Sequence, residues 1–342
     1  MRPANRRMSR SVRAFAPASV SNIACGFDIL GFALQSEADG SPSGPGDVVT
    51  ATEGVRDGGA GACGPVRITA ITGDDGRLPH ETSRNTAAVA AQALLQAEAP
   101  DAAVDLEIEK LMPLESGLGS SAASAVAAVV AVDALLGLDL PPAALLRYAL
   151  AGEILASGGA HADNLAPALF GGLVLVRSLE PEPDVVELPV PEGLTCALAR
   201  PHTHVNTRES RSRLDRDLPL ERAVTQWGNA AALVASLYRS DLELLSRSLV
   251  DVVAEPVRGP NVPGFYEAKQ AATESEALGC SLSGSGPAVF ALCDGAGRAR
   301  AVAAAMASAL EHALGVDCDR LVSPLPAPGA RVIEGDGDTD GA

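Results

Sequence analysis

The chain has 342 residues and a formal net charge of −17, and 47% of its residues are hydrophobic although only 3% are aromatic. This length predicts two domains whose cores are built mainly from alanine, valine and leucine. The acidic balance argues against nucleic acid as a partner, because phosphate backbones require basic surface. No membrane is expected as a partner either, since no apolar run approaches the roughly 20 residues of a spanning helix.

Nearly all positive charge is arginine, since Lys110 and Lys269 are the only lysines. An acidic, lysine-poor surface predicts a halophilic protein in a salt-rich cytoplasm, where ions screen the self-repulsion. An acidic protein from a GC-rich genome would also carry arginine in place of lysine, and that alternative stays open. The six cysteines form no CxxC pair and no zinc-like cluster with histidine, which predicts reduced thiols in the cytoplasm.

The arginine-rich start is not followed by the apolar stretch of a secretory signal. We interpret residues 1–10 as a disordered arm, or as a start assigned too early, with Met8 as the true start. Residues 40–47 and 57–65 are predicted loops. The elements predicted next are a strand at Val66–Thr72, a helix at Asn85–Ala97, a strand at Val104–Leu111, a loop at Pro113–Gly119, a buried helix at Ser120–Leu136, a helix at Pro141–Glu153, a loop at Gly158–Pro167 and a strand at Gly172–Arg177.

Four prolines between 181 and 191 mark a candidate domain boundary. The elements predicted beyond it are a strand at Thr195–Arg200, helices near 220–239 and 241–253, a short strand leading into Ser281–Pro287, a strand at Ala288–Cys293, a helix at Arg298–Leu314 and a strand at Asp319–Val322. This second part is predicted to be mixed α+β. The acidic, glycine-rich end is predicted to be disordered.

The most informative segment is Pro113–Ser124, with the sequence PLESGLGSSAAS. Its glycines let the backbone turn tightly and let a ligand approach the amides. Two serines then begin a helix, whose free N–H groups and dipole favour an anion. The hydroxyls of Ser120 and Ser121 add hydrogen bonds or reach a metal ion, so the segment predicts a triphosphate site.

Three other interpretations of this segment compete. Residues 117–122 also fit the loose dinucleotide pattern GxGxxG/A, but Pro113–Ser116 separate them from the preceding strand. The Walker pattern is absent, since GK followed by Ser or Thr occurs nowhere in the chain. The structural alternative is a glycine-rich turn before a buried helix. The full twelve-residue segment is more specific than such a turn requires, which argues against this alternative.

Other polar residues stand beside apolar neighbours. Asn22 and Asp28, in segment 17–31, need partners if they are buried, and a substrate amine or hydroxyl is one option. Local capping in a strand–turn–helix connection is the alternative, and this segment alone favours it. Glu153 is a candidate Mg²⁺ ligand, although a glutamate at a helix end is usually solvated. Asp163 or Asn164 is a candidate contact for an attacking hydroxyl.

The remaining candidates lie in the second half of the chain. Segment 279–287, GCSLSGSGP, fits a backbone cradle or a flexible turn and lacks the GxSxG spacing of a hydrolase elbow. Arg211 and Arg258 offer planar forks that grip a carboxylate, with Thr207 completing the set. Surface ion pairing is the alternative that explains most arginines.

Three motifs in order resemble the GHMP kinases: PASVSNIACGFDILG (17–31), PLESGLGSSAAS (113–124) and GCSLSGSGP (279–287). The first motif and HADNLAP (161–167) are similar to the homoserine kinase branch of that family. The resemblance spans about residues 11–325. It implies an α+β, two-domain fold, with an N-terminal ATP-binding domain at 11–185 that contains a left-handed βαβ unit, a ferredoxin-like C-terminal domain at 186–326 and a disordered tail at 327–342.

The resemblance also implies ATP, Mg²⁺ and L-homoserine as ligands, a homodimer, and a role for each matching residue. Ser121 and Glu153 would hold Mg²⁺. Asn22 and Asp28 would bind the amino end of homoserine, and Arg211 and Arg258 its carboxylate. Asn164 would contact the hydroxyl, near Asp163, Arg211 and Thr207. The ATP-binding residues would be Pro113, Leu114, Glu115, Ser116, Gly117, Leu118, Gly119, Ser120, Ser121, Ala122 and Ala123.

Two departures from the family pattern are Ala24–Cys25, where relatives often carry glycine, and Glu115, a carboxylate that must point away from ATP. The mechanism expected is direct phosphoryl transfer to the hydroxyl without a protein base, which asks the protein for alignment and charge neutralisation. The alternatives are another GHMP kinase acting on mevalonate, shikimate or a sugar, a non-catalytic sensor with the same fold and, more distantly, a dinucleotide-binding dehydrogenase.

Overall fold

The structure is a computed structural model that describes residues 10–36, 44–55, 64–214 and 217–333. Residues 1–9 of the arm predicted at 1–10, most of the loops predicted at 40–47 and 57–65, and the acidic end beyond residue 333 lie outside the described residues. Across the described ranges, no helix combines the length and the hydropathy needed to cross a bilayer.

The strands are β1 (Ser11–Pro17), β2 (Ser19–Ser21), β3 (Leu30–Ala33), β4 (Gly46–Glu53), β5 (Val66–Thr72), β6 (Val104–Lys110), β7 (Leu173–Ser178), β8 (Asp184–Leu188), β9 (Leu194–Pro201), β10 (Gly279–Leu282), β11 (Val289–Asp294), β12 (Cys318–Pro324) and β13 (Arg331–Ile333). The α-helices are α1 (Thr86–Glu98), α2 (Ser120–Leu136), α3 (Pro142–Ser157), α4 (Leu165–Phe170), α5 (Thr207–Ser212), α6 (Leu220–Arg239), α7 (Leu242–Ser248), α8 (Glu255–Arg258), α9 (Phe265–Glu274) and α10 (Ala296–Leu314).

The first sheet has the order β13-β1-β4-β6-β5 and is antiparallel except for the pair β5 and β6, which α1 connects. Helix α2 packs against β1 and β4, and α1 and α3 pack against α2. The Asn85 side chain caps α1 by accepting from the amides of Ala87 and Ala88. The mixed α+β composition expected from the sequence is confirmed, whereas the handedness of the β5–α1–β6 unit stays a prediction.

The second sheet has the order β2-β3-β7-β8 and is antiparallel. Its first two strands come from segment 17–31, so the strand–turn–helix interpretation of that segment is wrong: it is a strand–turn–strand unit. Strand β8 lies in the proline-rich stretch. It is an edge strand, and prolines flank it rather than interrupt it. The domain boundary expected at 185/186 falls inside β8, which pairs with β7 of the N-terminal half.

The third sheet is antiparallel with the order β10-β11-β9-β12, and the chain order of its strands and main helices is βαββαβ. This is the ferredoxin-like topology that the resemblance implied. Both faces of β9 and β11 are buried: Ala197 and Ala291 face α9 and α10, and Leu198 and Phe290 join the core of the N-terminal half. The two halves therefore meet over apolar surface as well as at the motifs.

Several predicted boundaries need correction. The tail expected from residue 327 includes β13, which returns to pair with β1. The helix predicted at Pro141–Glu153 continues to Ser157, where Gly158 ends it in a left-handed conformation. The loop predicted at 158–167 contains the start of α4, and the helix predicted at 241–253 ends at Ser248. The loop predicted at 40–47 includes Gly46 and Asp47, which belong to β4.

Candidate active site

A cavity of about 600 Å³ lies where the three motifs meet. The glycine–serine loop before α2 forms one wall, the turn after β2 and the start of α4 form another, and the 279–287 segment closes the far side. Ser283 donates from its hydroxyl to the Gly117 carbonyl at 2.6 Å, and Asn22 donates to the Gly284 carbonyl at 3.2 Å. Segments more than 160 residues apart therefore make one site.

The glycine–serine loop can take no larger residues at its two turns. Gly117 and Gly119 have φ of 79° and 69°. A Cβ at Gly119 would lie 2.4 Å from Ser19 Oγ, and one at Gly117 would lie 2.7 Å from the Ser283 carbonyl oxygen. The packing thus fixes the loop with its amides at the start of α2.

Two hydroxyls of this loop are buried without a hydrogen-bond partner among the described residues, Ser116 Oγ and Ser120 Oγ. A buried hydroxyl without a partner is costly, and such groups in an otherwise satisfied structure mark places where a ligand or water binds. Together with the start of a 17-residue helix, they fit the phosphates of a nucleotide.

Lys110 is a site residue that the sequence interpretation did not assign. It lines the cavity, and its buried ammonium donates to Asp47, to the Ser120 carbonyl at 2.9 Å and to Ser124 Oγ at 2.8 Å. Ser124 in turn donates to Asp47 at 2.6 Å. The buried ion pair therefore anchors the first turn of α2 to strands β4 and β6. The sequence did indicate that Lys110 is buried, because it falls on the same side of the alternating strand as the inward-facing residues.

Lys110→Met is expected to lower the free energy of unfolding by about 3–5 kcal/mol, because it leaves the Asp47 carboxylate buried without a counter-charge. Urea unfolding measures this loss. The matched control is Lys269→Met, which removes a lysine that is 29% exposed and paired with Glu255. Adding Asp47→Asn to Lys110→Met should restore part of the loss. An equal, small effect for both lysine variants would contradict the anchor.

Glu153 and Ser121 face each other across the start of α2. The Ser121 hydroxyl lies 3.5 Å from Glu153 Oε2, and both residues line the cavity. Burial raises the pKa of Glu153 to about 8, with the negative charge of Asp163 adding to the effect. A buried carboxylate beside a hydroxyl and next to the loop is the arrangement that a hard cation such as Mg²⁺ would stabilise. No cluster of three or more His, Cys, Asp or Glu suited to a metal occurs in the described part of the chain.

Asn164 is held by two serines that the sequence interpretation did not single out. Ser19 donates to Asn164 Oδ1 at 2.9 Å, and Asn164 Nδ2 donates to Ser21 Oγ at 3.1 Å. Ser21 also hydrogen-bonds to the buried Asp163 carboxyl. The two neighbouring side chains are thus joined through one hydroxyl, and both line the cavity.

Burial raises the pKa of Asp163 to about 7, and the nearby charge of Asp28 acts in the same direction. Because the folded chain holds the Asp163 and Glu153 protons more tightly than the unfolded chain, stability should fall as pH rises from about 4 to about 8. Melting temperatures of the ligand-free, metal-free protein across this range test the sign. The increasingly negative net charge also lowers stability as pH rises. The decisive observation is therefore that Asp163→Asn and Glu153→Gln each make the melting temperature depend less steeply on pH.

Asp28 and Arg211 are paired in this structure. Arg211 on α5 donates from both terminal nitrogens to the two carboxylate oxygens of Asp28, with Nη1–Oδ1 at 3.0 Å. His161 Nδ1 lies 3.6 Å from Asp28 Oδ2. Burial and the charges of Arg211 and Arg258 lower the pKa of His161, so its imidazole is neutral at neutral pH. The two residues expected to bind opposite ends of one substrate thus bind each other in the ligand-free protein.

Arg258 is the deeper of the two arginines. It is 5% exposed, donates from Nη1 to the Gly284 carbonyl at 2.9 Å, and has no hydrogen-bond partner for Nε among the described residues. No ion pair to it occurs in the described ranges, and burial lowers its pKa. The Phe27 ring lies about equally far from both guanidiniums, at 5.4 and 5.2 Å. A buried cation with free donors next to a cavity favours an anionic group of a ligand.

The other predicted residues divide into two sets. Thr207 Oγ1 lies 3.2 Å from Ser285 Oγ at the cavity wall. Glu115 lines the cavity rather than pointing away from it, and its carboxylate pairs with the cavity-lining Arg77 at 3.4 Å, which offsets its charge. Four predicted ATP-binding residues do not line the cavity: Pro113, Leu118, Ala122 and Ala123. Leu118, Ala122 and Ala123 are core residues that pack beneath the loop.

Comparison with known proteins agrees with this geometry. Residues 85–172 match the family profile described as GHMP kinases N terminal domain, and residues 233–312 match GHMP kinases C terminal. The chain is similar to homoserine kinase from Chlorobium phaeovibrioides, at 46% identity over 95% of this chain and all of that protein. A crystal structure of homoserine kinase from Cytophaga hutchinsonii superposes with a TM-score of 0.86 at 44% identity, covering 95% of this chain and 98% of that one. L. major mevalonate kinase shares the fold, with a TM-score of 0.65 at 16% identity and coverage of 93% and 98%.

Proposed function

We propose that this chain, which belongs to the homoserine kinase family of the GHMP kinases, transfers the γ-phosphoryl group of ATP to the hydroxyl of L-homoserine, giving O-phospho-L-homoserine for threonine biosynthesis. The observation that carries the proposal is the cavity itself. One end has a fixed loop with two free buried hydroxyls, and the other has a carboxylate and a buried arginine with free donors. A polyphosphate and a zwitterionic amino acid are the matching ligands.

The test is ADP release with MgATP and, separately, L-homoserine, mevalonate, shikimate and galactose, at low and at high KCl. Turnover with homoserine alone is the expected result. Turnover with another acceptor would make the chain a different GHMP kinase, and no turnover in either salt would favour a non-catalytic sensor. Cofactor absorbance of the purified protein would reveal a dehydrogenase.

Each residue has a proposed role in this reaction. The loop amides and the hydroxyls of Ser116 and Ser120 hold the phosphates, above the helix turn that Lys110 anchors. Ser121 and Glu153 would hold Mg²⁺. The bound ion would neutralise the negative charge that develops on the phosphates. This fits the buried Glu153 carboxyl, because burial raises its pKa and a cation in contact would favour its charged form.

The homoserine end of the site is assigned to the opposite wall. Asp28, with Asn22 supporting it by accepting from the Asp28 amide at 3.1 Å, would bind the ammonium group. Arg258 and Arg211 would bind the carboxylate, so Arg211 must leave Asp28 when the amino acid enters. Thr207 and the Asn164 amide would orient the hydroxyl toward the phosphate loop.

Direct transfer without a protein base is the proposed mechanism, since a loose phosphoryl-transfer transition state needs alignment more than proton removal. Asp163→Asn should therefore lower kcat by less than about tenfold. Asn164→Ala should lower it by about a hundredfold, because it releases the clamp between Ser19 and Ser21 that sets the geometry. Steady-state kinetics of the two variants, each shown to be folded, distinguishes transfer with a protein base from transfer without one. If Asp163→Asn alone abolished turnover, direct transfer without a base would be wrong.

The remaining expectations accompany this proposal. The family resemblance supports a homodimer. The cysteines among the described residues are free thiols, which suits the proposed cytoplasmic location. The salt-rich cytoplasm has no support from the fold or from the relatives and stays a prediction, which the KCl arm of the assay tests.

A further inference from the structure

The turn that carries Asp28 has an unfavourable backbone. Asn22, Ile23 and Ala24 have φ of 72°, 41° and 55°, and Asp28 has φ of 63°. These values lie in the left-handed region, which residues with a Cβ rarely adopt. Such conformations persist only where surrounding contacts hold them, and they concentrate at functional sites. The contacts that hold this turn therefore also set the place of the Asp28 carboxylate in the cavity.

Helix α6 supplies one of these contacts through Gln226. This side chain is 7% exposed, and its Nε2 donates to the Cys25 carbonyl in the turn at 2.9 Å. Nε2 also donates to Asp251 Oδ1 at 3.0 Å, and Oε1 accepts from the Val252 amide at 2.9 Å. The reverse orientation of the amide would set its oxygen against two acceptors, so the contacts fix one orientation. Gln226 thus holds the middle of the turn from the C-terminal half of the chain.

Asp251 continues the network into helix α8. It is 7% exposed, and its carboxylate accepts from the amides of Val253, Ala254 and Glu255 at 2.7, 3.1 and 2.7 Å. These amides belong to the segment that begins α8, and Arg258 is the last residue of that helix. The carboxylate that orients the α6 glutamine therefore also fixes the short helix that carries the buried arginine.

These contacts close into a ring around one end of the cavity. Arg258 Nη1 and Asn22 Nδ2 both donate to the Gly284 carbonyl, at 2.9 and 3.2 Å. Asn22 Oδ1 in turn accepts from the Asp28 amide at 3.1 Å. From Gln226, one side of the ring runs through the turn to Asp28, and the other runs through α8 to Arg258. One buried side chain thus connects the two groups that we assign to the ammonium and the carboxylate of the substrate.

We propose that Gln226 is a positioning residue for the amino-acid substrate, because it holds the Cys25 carbonyl and Asp251 together and so fixes the separation of the Asp28 carboxylate and the Arg258 guanidinium. This inference rests on the proposed function. Gln226 does not line the cavity, whereas Asp28 and Arg258 do, so its effect passes through them. A zwitterion gains from both charges only when their separation matches its own, and a preset separation spares the substrate the cost of ordering the site.

Gln226→Leu should lower kcat/KM for L-homoserine about thirtyfold, chiefly by raising its KM, because the substrate must then order the turn and α8 as it binds. The KM for ATP should change by less than about threefold, since Lys110 and Ser283 hold the phosphate loop independently of this ring. Steady-state kinetics with each substrate varied in turn measures both constants. The matched control is Gln270→Leu, which removes a glutamine that bonds to Glu274 on the exposed surface of α9 and should leave both KM values unchanged.

A second variant removes the donor without changing the size of the side chain. Gln226→Glu keeps an acceptor for the Val252 amide but sets a carboxylate against Asp251 and the Cys25 carbonyl. It should raise the KM for homoserine at least as much as Gln226→Leu does. Because the two substitutions disturb the packing differently, an effect common to both reflects the hydrogen bond to the turn. Melting curves show whether each variant is folded, and loss of the fold in both would overturn the proposal, since Gln226 would then serve the fold as a whole.

A double-mutant cycle tests whether Gln226 acts through Asp28. Asp28→Asn alone should lower kcat/KM for L-homoserine about a hundredfold, because the ammonium group loses its counter-charge. Adding Gln226→Leu to Asp28→Asn should lower it by less than about a further fivefold, since the carboxylate that Gln226 positions is already gone. Full additivity of the two losses would show that Gln226 does not act through Asp28.

The wild-type protein distinguishes this proposal from the proposed function. If the wild type released no ADP with L-homoserine, both would be rejected. If the wild type used homoserine, three results would each reject the role of Gln226 alone: an unchanged KM for homoserine in the folded Gln226 variants, an equal rise in the KM values for homoserine and ATP, or full additivity in the cycle.

Discussion

Glu153→Gln is expected to lower kcat by about a hundred- to a thousandfold, because it removes the only carboxylate that we assign to Mg²⁺ and several kcal/mol of charge stabilisation with it. The substitution keeps the shape of the side chain and a hydrogen-bond acceptor for Ser121, so the phosphate loop should be unchanged. Steady-state kinetics as a function of free Mg²⁺ should show that the metal concentration needed for half-maximal rate rises as well.

A stability measurement separates this effect from damage to the fold. The raised pKa of Glu153 means that its charged form is unfavourable in the ligand-free protein. The neutral glutamine should therefore raise the melting temperature in metal-free buffer at pH values above about 8. The same substitution would thus stabilise the fold while it removes most of the activity. A Glu153→Gln protein with normal kcat and an unchanged Mg²⁺ requirement would remove Glu153 from the metal site.

The helices predicted best are those whose ends carry a local signal. Helix α2 begins and ends at the predicted residues, Ser120 and Leu136, because glycines in left-handed conformations flank an apolar run on both sides. Strand β4 was missed for the opposite reason. It lies between β1 and β6 and is buried on both faces, so its alanine and threonine residues show no alternation. Asp47, which begins the buried network beneath the phosphate loop, was therefore assigned to a loop.

In the candidate site, too, features that depend on neighbouring residues could be predicted from the sequence, whereas contacts between distant segments could not. The glycine–serine loop is recognisable because its function depends on consecutive backbone groups. The contacts that hold it are not, because Ser19 and Asn164 are 145 positions apart and Lys110 and Asp47 are 63 apart. Nothing in the sequence indicated that Arg211 would pair with Asp28, since an ion pair between distant segments depends on the tertiary fold.

Those pairs change how the substrate must bind. Arg211 is committed to Asp28 in the ligand-free protein, whereas Arg258 has free donors and no ion pair within the described ranges. In the proposed binding mode, the carboxylate of an incoming amino acid would meet Arg258 first, and its ammonium would then compete with Arg211 for Asp28. A zwitterion can replace both halves of the internal pair, while a ligand with only one charge leaves the other half without a partner, which is costly in a partly buried site.

Arg258→Met should accordingly lower kcat/KM for L-homoserine by about a thousandfold, or ~4 kcal/mol of transition-state binding, because it removes the buried fork that receives the carboxylate. Arg213→Met is the matched control, since Arg213 is partly exposed, binds Glu209 and Asn261, and lies outside the main cavity. It should change kcat/KM by less than about threefold, in line with the small contribution of an exposed ion pair.

A substrate analogue isolates the carboxylate contact from any change in the fold. With 3-aminopropan-1-ol, which keeps the amine and the hydroxyl of homoserine but lacks the carboxylate, the wild-type protein and Arg258→Met should have similar kcat/KM values. The Arg258 guanidinium has no ion pair among the described residues, and its Nε has no hydrogen-bond partner there, so the Arg258→Met variant should fold normally. If the variant lost as much activity toward the analogue as toward homoserine, Arg258 would act on the structure of the site rather than on the carboxylate. In that case Arg211 alone would have to provide the specificity for an α-amino acid.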